Sequence, residues 1–325
     1  PDLRNGEALI KVHAVALCTL EQRIFRGEVK MPLPCTGGHE VSGEIVALGD
    51  GVNKKMWAPG DRVAVRLLYN CGECYYCRTG HANLCERAQK KPVREGLLIG
   101  PGGLCDYVIV NTGYLFKIPD TLCYEEASLT EPLACVVHSV TKANIQLGED
   151  VVVIGGGIMG QYHVMLAKRR GARVIMSEVD ESRRTLARKL GADITFNPME
   201  KDPVEYVKSL TEGRGADVVF NTTAIPSVVP QAIAMTGKAG RMIQYSSMHP
   251  DAPAPVSPQM LHGNEPILTG SISPDVHDFF TANRLLSGGI IDCKPLIAKK
   301  FPFEQAQQAF EAAIVPGTFR VIITD

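Results

Sequence analysis

Apolar and polar positions change rhythm near the middle of the chain. From Asp2 to about Pro119, short Val- and Ile-rich runs (Ala8 to Val15, Val41 to Leu48, Arg62 to Val65, Tyr107 to Val110) stand between Gly- and Pro-rich turns. That pattern predicts an irregular, mostly antiparallel β domain. From about Leu133 the order becomes apolar strand, turn and amphipathic helix, repeated. The expected elements are a strand at Val151 to Gly155, a helix at Ile158 to Arg170, a strand at Arg173 to Glu178 and a helix at Glu181 to Leu190. Ile194 to Phe196, Ala216 to Thr222, Arg241 to Ser246 and Pro266 to Ser271 complete six parallel strands, with a helix near Ser227 to Met235. Alternation of this kind builds a parallel, doubly wound sheet. Helices near Val276 to Leu286 and Phe303 to Ala313 precede a last strand, Phe319 to Thr324. A six-stranded wound sheet has no place left for that strand, so the tail is assigned back to the first domain.

Length agrees with two domains, since 325 residues exceed the roughly 100 to 200 usual for one. Hydrophobic residues at 45% and charged ones at 21% permit a packed core. Lys and Arg number 34 against 35 Asp and Glu, so there is no broad basic field for nucleic acid or anionic membrane, and a small-molecule partner is expected. No apolar run nears the roughly 20 residues of a membrane span, and no secretory signal pattern opens the sequence, so the expected location is the cytoplasm. The ten cysteines point to metal ligation in a reducing compartment, because four of them form one tight cluster.

That cluster is Cys71, Cys74, Cys77 and Cys85, a C-x2-C-x2-C-x7-C spacing that lets one loop wrap four thiolates around zinc at about 2.3 Å. Four thiolates close the site, which makes it structural. Ferredoxin-type iron–sulfur ligation wants a fourth cysteine followed by proline. Cys85 lies beyond a seven-residue gap and precedes Glu86. A nucleic-acid-binding zinc ribbon disagrees with the unbasic chain, and disulfides are strained by three cysteines at intervals of three.

Three weaker candidates stand apart: Cys18, the pair His39-Glu40 after Gly37-Gly38, and Glu131 in Thr130-Glu131-Pro132-Leu133. Singly, each reads equally well as a core or surface residue. Together, one thiolate, one imidazole and carboxylates are the mixture of a zinc site that keeps a position open for water or substrate. Glu131 also precedes the wound domain, where an interdomain cleft is expected.

The apolar run Val151 to Ile154 enters Gly155-Gly156-Gly157-Ile158-Met159-Gly160, a G-x-G-x-x-G turn between strand and helix. Gly155 serves the tight turn, Gly157 the approach of the pyrophosphate, and Gly160 the close packing of helix on strand, while the helix start at Ile158 and Met159 faces the phosphates. Glu178, ending the next strand, suits the adenosine ribose hydroxyls and repels a 2'-phosphate, which favours NAD over NADP. Arg183 either stacks on adenine or neutralises such a phosphate.

In combination these residues resemble the zinc-containing medium-chain dehydrogenases, and within them the sorbitol and threonine dehydrogenase branch. The likeness runs over nearly the whole chain, through Gly37-Gly38-His39-Glu40, Gly60-Asp61-Arg62-Val63, the cysteine loop, Glu131-Pro132-Leu133, the Gly155 turn and Lys294-Pro295-Leu296. The resemblance implies an α/β protein with a GroES-like β-rich catalytic domain (residues 1–133 and 274–325) and an inserted Rossmann domain (134–273). It further implies a homotetramer or homodimer, two zincs per chain, and hydride transfer between a secondary alcohol or polyol and NAD. By it, Cys18, His39, Glu40 and Glu131 match the catalytic-zinc positions, with Glu40 and Glu131 sharing or alternating ligation. Relatives usually begin earlier, so a first strand of the catalytic domain is expected to be missing here. Where this branch has a proton-relaying serine, the chain has Leu20; either Thr19, one residue off, or water held through Glu40 takes the role. Ser273 stands where an arginine that contacts cofactor or substrate is common. Arg23 and Arg26 are either surface charges or a preference for a phosphorylated polyol. Two other functions are compatible with parts of the pattern: a zinc-independent quinone or enoyl reductase, and a non-catalytic dinucleotide-binding protein.

Overall fold

A computed structural model describes residues 2–88 and 95–325. The chain divides into two compact units, one formed by Pro1–Cys135 with Ser273–Asp325 and the other by Val136–Ile272.

The first unit is built on a seven-stranded sheet. Its strands are β1 (Glu7–Ala16), β2 (Glu40–Leu48), β3 (Arg62–Arg66), β4 (Tyr107–Asn111), β5 (Leu115–Lys117), β12 (Ile297–Pro302) and β13 (Arg320–Thr324). The order is β12-β13-β1-β2-β3-β5, with β4 on β1. All pairs are antiparallel except β12 with β13. Alternate positions of β1, β2 and β3 (Ala8, Ile10, Val12, Ile45, Val63, Val65) fill its core with Trp57, Val108 and Val110. The final strand pairs β1, with Ala16 opposite Ile322. The tail therefore returns to this unit, as the pattern predicts.

The second unit carries six parallel strands: β6 (Asp150–Ile154), β7 (Arg173–Ser177), β8 (Ile194–Phe196), β9 (Ala216–Asn221), β10 (Thr236–Gln244) and β11 (Ile267–Gly270). Their order is β11-β10-β9-β6-β7-β8. Renumbered within the unit, that is 3-2-1-4-5-6, the doubly wound order whose reversal lies at its first strand. Val151, Val152 and Val153 are wholly buried, as a strand covered on both faces must be.

Several elements differ from the sequence pattern, among them the helices Thr130–Ala143 and Pro203–Leu210, which it does not predict. Thr19–Phe25 and Pro258–Asn264 are short helices, and Ile297–Pro302 is a strand. Lys299 and Lys300 break the apolar signal in that edge strand, which pairing with β13 and the packing of Phe301 stabilise. The helix expected from Phe303 begins at Ala306, after a 3-10 turn at Phe303–Gln305.

Candidate metal centres and dinucleotide turn

The cysteine loop places its sulfurs on one another. Cys71 Sγ lies 4.0 Å from Cys77 Sγ and 3.6 Å from Cys85 Sγ, and Cys74 Sγ lies 4.0 Å from Cys85 Sγ. Around zinc at about 2.3 Å, the edges of a sulfur tetrahedron measure roughly 3.8 Å. A helical turn at Tyr75–Arg78 supplies the spacing of Cys74 and Cys77. Backbone N–H groups of Cys71 and Arg87 point at Cys85 Sγ, both at 3.3 Å, and that of Cys74 at Cys71 Sγ at 3.4 Å. Backbone hydrogen bonds from Cys77 and Glu86 draw the Cys74 thiol down to about 6. Burial and the neighbouring cysteine thiols push Cys77 up to about 12. Four sulfurs this close do not all ionise without a cation among them. All ten cysteines are free, so no disulfide competes.

The second cluster is assembled from four distant segments. Cys18 caps the helix Thr19–Phe25, and Glu21 follows on that helix's buried side. His39 and Glu40 open β2, Glu131 lies in the first turn of the helix Thr130–Ala143, and Arg320 opens β13. Donor atoms of Cys18, Glu21 and His39 lie within 4.8 Å of one another, as do those of His39, Glu40 and Glu131. Gly38 makes the corner before His39 with a φ of 81°, and a Cβ there would lie 2.8 Å from the backbone nitrogen of Leu104. Only glycine fits.

Glu21 organises this corner. One of its oxygens, Oε1, accepts from the Gly38 N–H at 3.1 Å and lies 2.8 Å from His39 Nδ1. The other, Oε2, is buried without a partner. Burial works against both charges, yet each outweighs it for the other: His39 is raised well above its ordinary value, with Cys18 adding, and Glu21 is lowered. Nδ1 of His39 is thereby occupied, which leaves Nε2 as its donor toward a metal.

Glu40 is completely buried and takes a two-pronged hydrogen bond from Arg320, with Nε to Oε2 at 2.8 Å and Nη2 to Oε1. Burial and the nearby Glu131 carboxylate push Glu40 up, to about 7, against the pull of Arg320. The Cys135 thiol, one helical turn past Glu131, donates to Glu131 Oε1 at 3.4 Å.

Other expected residues fall at the margin. Thr19 and Leu20 are both exposed. Arg23 and Arg26 are engaged with Glu28, at 3.4 Å and 2.6 Å. Glu21 and Arg320 are site residues that sequence reasoning missed. Glu21 carries a weak signal, three positions after Cys18 and so one helical turn away. Arg320 carries none beyond being a charge at the head of an apolar strand.

In the second unit, Gly155 takes a φ of 97°, and a Cβ on Gly160 would fall 1.8 Å from the Gly155 carbonyl oxygen. The helix Ile158–Arg169 follows directly. A Cβ on Gly157 would meet nothing within 4 Å. Glu178 accepts from the backbone N–H groups of Gly156 at 2.5 Å and Asp180 at 2.9 Å, with Arg183 Nη1 at 3.9 Å.

A two-unit α/β chain with a four-sulfur loop, a buried thiol–imidazole–carboxylate cluster and a dinucleotide turn defines a metal-assisted dehydrogenase. Comparison with known proteins agrees. Residues 4–120 match the alcohol dehydrogenase GroES-like domain and residues 159–288 the zinc-binding dehydrogenase family. The chain is 32% identical to the D-arabitol-phosphate dehydrogenase of Enterococcus avium, over 99% of this chain and 91% of that protein. It is 31% identical to the sorbitol dehydrogenase of Bacillus subtilis (strain 168), over 97% and 88%. A structure described as a zinc-binding dehydrogenase, from Sinorhizobium meliloti 1021 and bound to NADP, superposes with a TM-score of 0.90 at 28% identity, covering 100% of this chain and 94% of that one. The chain belongs to the zinc-containing medium-chain dehydrogenase family. It is an alcohol or polyol oxidoreductase acting on a small molecule. Among the described residues no helix is long and apolar enough to cross a membrane.

Proposed function

We propose that the chain oxidises a secondary alcohol of the polyol or sugar-alcohol class with NAD, using zinc held by Cys18, His39 and Glu131, with Glu40 beside them. The observation that carries this reading is the pair of overlapping triads that share His39, Cys18–Glu21–His39 and His39–Glu40–Glu131, each with its donor atoms within 4.8 Å of one another. When bound, zinc polarises the alcohol oxygen and lowers its pKa, while the nicotinamide accepts the hydride. Glu21 fixes the His39 ring and compensates its charge. Arg320 holds Glu40 in place through its two-pronged hydrogen bond and opposes the upward push of burial on that carboxyl. Cys71, Cys74, Cys77 and Cys85 hold a second, structural zinc that shapes their loop.

The preference for NAD rests on Glu178, whose buried carboxylate is fixed by two backbone N–H groups beside the Gly155 turn, where a 2'-phosphate would meet its charge. The relatives include one acting on D-arabitol phosphate and one on sorbitol, so both phosphorylated and plain polyols are candidates. Engagement of Arg23 and Arg26 by Glu28 favours the plain ones. We take the enzyme to be a homo-oligomer, a tetramer or dimer, as the family resemblance implies, and to work in the cytoplasm, where its ten free cysteines would stay reduced.

The test pairs metal analysis with a screen of polyols and polyol phosphates, following reduction of NAD and of NADP. Two zincs per chain and turnover with NAD are expected. Full turnover after removal of metal from the Cys18–His39–Glu131 cluster would overturn the mechanism.

A further inference from the structure

Arg66 ends β3 and stands opposite Glu40 of β2 in the register of the two strands, so both side chains leave the same face of the sheet. It is among the largest fully buried side chains in the molecule. Neutral oxygens take its fork: Nη1 donates to the Leu68 carbonyl at 2.7 Å and to Asn70 Oδ1 at 3.0 Å, and Nη2 to the Pro274 carbonyl at 3.4 Å. Its Nε is buried without a partner. The guanidinium lies over the Tyr114 ring, 5.5 Å from its centre, and the Tyr114 hydroxyl donates in turn to Asn70 at 3.4 Å.

A buried guanidinium spent on neutral acceptors is a poor source of stability, since a hydrophobic side chain of similar volume is often as good or better there. Its placement suggests another role. Asn70 immediately precedes Cys71, whose backbone N–H points at Cys85 Sγ. Arg66 therefore grips the segment that leads into the cysteine loop. The carboxylates that act on its charge are Asp275, Glu131 and Asp278. Asp275 and Asp278 are bound to each other's backbone N–H in the capping box of the helix Val276–Ser287. Of the three, Glu131 is the one that belongs to the candidate zinc cluster.

We infer that Arg66 is a positioning residue that couples the cysteine loop to the zinc cluster of Glu40 and Glu131. With the loop ordered, Asn70 and Leu68 hold the guanidinium away from the cluster. When Asn70 is displaced or removed, the fork loses an acceptor and can turn toward Glu40, which stands opposite Arg66 across β2 and β3 on the same face of the sheet. That carboxylate is then turned from the position it needs as a metal ligand. The loop's own metal would in this way be felt at the open site through one side chain, without sharing a ligand with it.

The inference rests on the zinc assignment of the previous section, and one double-mutant cycle tests it separately. Protein is prepared with zinc in the cysteine loop and cobalt in the open cluster, and the visible cobalt absorption is recorded with kcat/KM. Asn70→Ala in the otherwise unchanged protein is expected to shift the cobalt bands and lower kcat/KM about ten-fold, the lower end for losing an outer partner of a metal ligand. In an Arg66→Met background the same Asn70→Ala change should shift nothing further. Should Arg66→Met not fold, Arg66→Gln serves the same cycle. Bands unmoved by Asn70→Ala, or moved equally in both backgrounds, would overturn the coupling while leaving the zinc assignment standing. Failure of the wild-type cluster to take cobalt would overturn the zinc assignment and the coupling with it.

Discussion

The cysteine loop and the buried cluster are both groups of side chains able to ligate a metal in the same unit, yet they are made in opposite ways. All four sulfurs of the loop come from fifteen consecutive residues, and the nearby backbone N–H groups orient them. The cluster draws Cys18, Glu21, His39, Glu40, Glu131 and Arg320 from four segments, and its geometry is set by side chains pairing with side chains. The loop sets four sulfurs side by side with only backbone N–H groups to oppose their repulsion, so a bound cation would add to its order. The cluster carries its own ion pairs, Glu21 with His39 and Glu40 with Arg320. A metal in the loop would therefore belong to the fold, whereas a metal in the cluster would belong to the chemistry.

The largest effect should come from breaking that division directly. Cys74→Ser is expected to lose one zinc per chain and to lower Tm by many degrees, because a structural zinc binds with about 10 kcal/mol or more of free energy that is also folding free energy. Cys18→Ser should also lose one zinc but leave Tm within a few degrees, while kcat falls about a thousand-fold, near 4 kcal/mol of barrier. Metal analysis, thermal melts and turnover on the two variants decide it, and the comparison breaks if Cys18→Ser melts as early as Cys74→Ser. Protons sharpen the same contrast. Thiols hold protons only in the metal-free loop, and Cys77 is pushed up to about 12 while Cys74 is drawn down to about 6. Loading the loop at pH 8 should release close to one proton from Cys77 and almost none from Cys74, so loop affinity rises with pH, a release measurable by calorimetry in buffers of different ionisation enthalpy.

The same division decides what can be read from the chain. Cys71, Cys74, Cys77 and Cys85 are legible because a local site writes its geometry into spacing, and the Gly155 turn is legible because strand, glycines and helix are contiguous. The alternation of strands and helices predicts the wound sheet, and the surplus strand at Phe319 to Thr324 returns to the first unit for want of a place in it. Cys18, His39, Glu40 and Glu131 are grouped in the sequence only by their chemical mixture and the family resemblance, not by spacing, because the pairing of β1 with β2 and the helix Thr130–Ala143 are what bring them together. Arg320 is invisible altogether, because its partner is 280 residues away in sequence. The strand Ile297–Pro302 is missed for a related reason: its order depends on pairing with β13, which lies beyond it in sequence.

Arg320→Met tests whether the cluster is ordered by its ion pairs. The change leaves the Glu40 carboxylate buried with no cation of its own, which should cost about 3 to 5 kcal/mol of stability in the metal-free protein. Adding Glu40→Gln removes the stranded charge and should recover most of that loss. Denaturant unfolding of the two single variants and the double variant measures the coupling. A double variant no more stable than Arg320→Met alone would show that packing, and not charge, holds this end of β13 to β2.

The smallest expected effect separates charge from shape at His39. Glu21→Gln keeps an oxygen for the Gly38 N–H and a polar contact for the ring, but removes the charge that raises His39 above its ordinary value. Glu21→Ala removes both. Outer partners of metal-bound histidines are typically worth about ten- to a hundred-fold in metal affinity. If orientation supplies most of this, Glu21→Gln should bind cobalt in the cluster nearly as tightly as the wild type, and Glu21→Ala about a hundred-fold more weakly. If charge supplies it, the two variants should weaken alike. The second Glu21 oxygen, buried without a partner, favours the charge reading: a carboxylate kept for shape alone would leave less of its capacity unspent. Equal losses of about ten-fold or more in both variants, with the cysteine loop still fully loaded, are therefore the expected outcome. A glutamine variant with wild-type affinity would mean that Glu21 serves the corner at Gly38 and the ring's orientation, not the charge of the site.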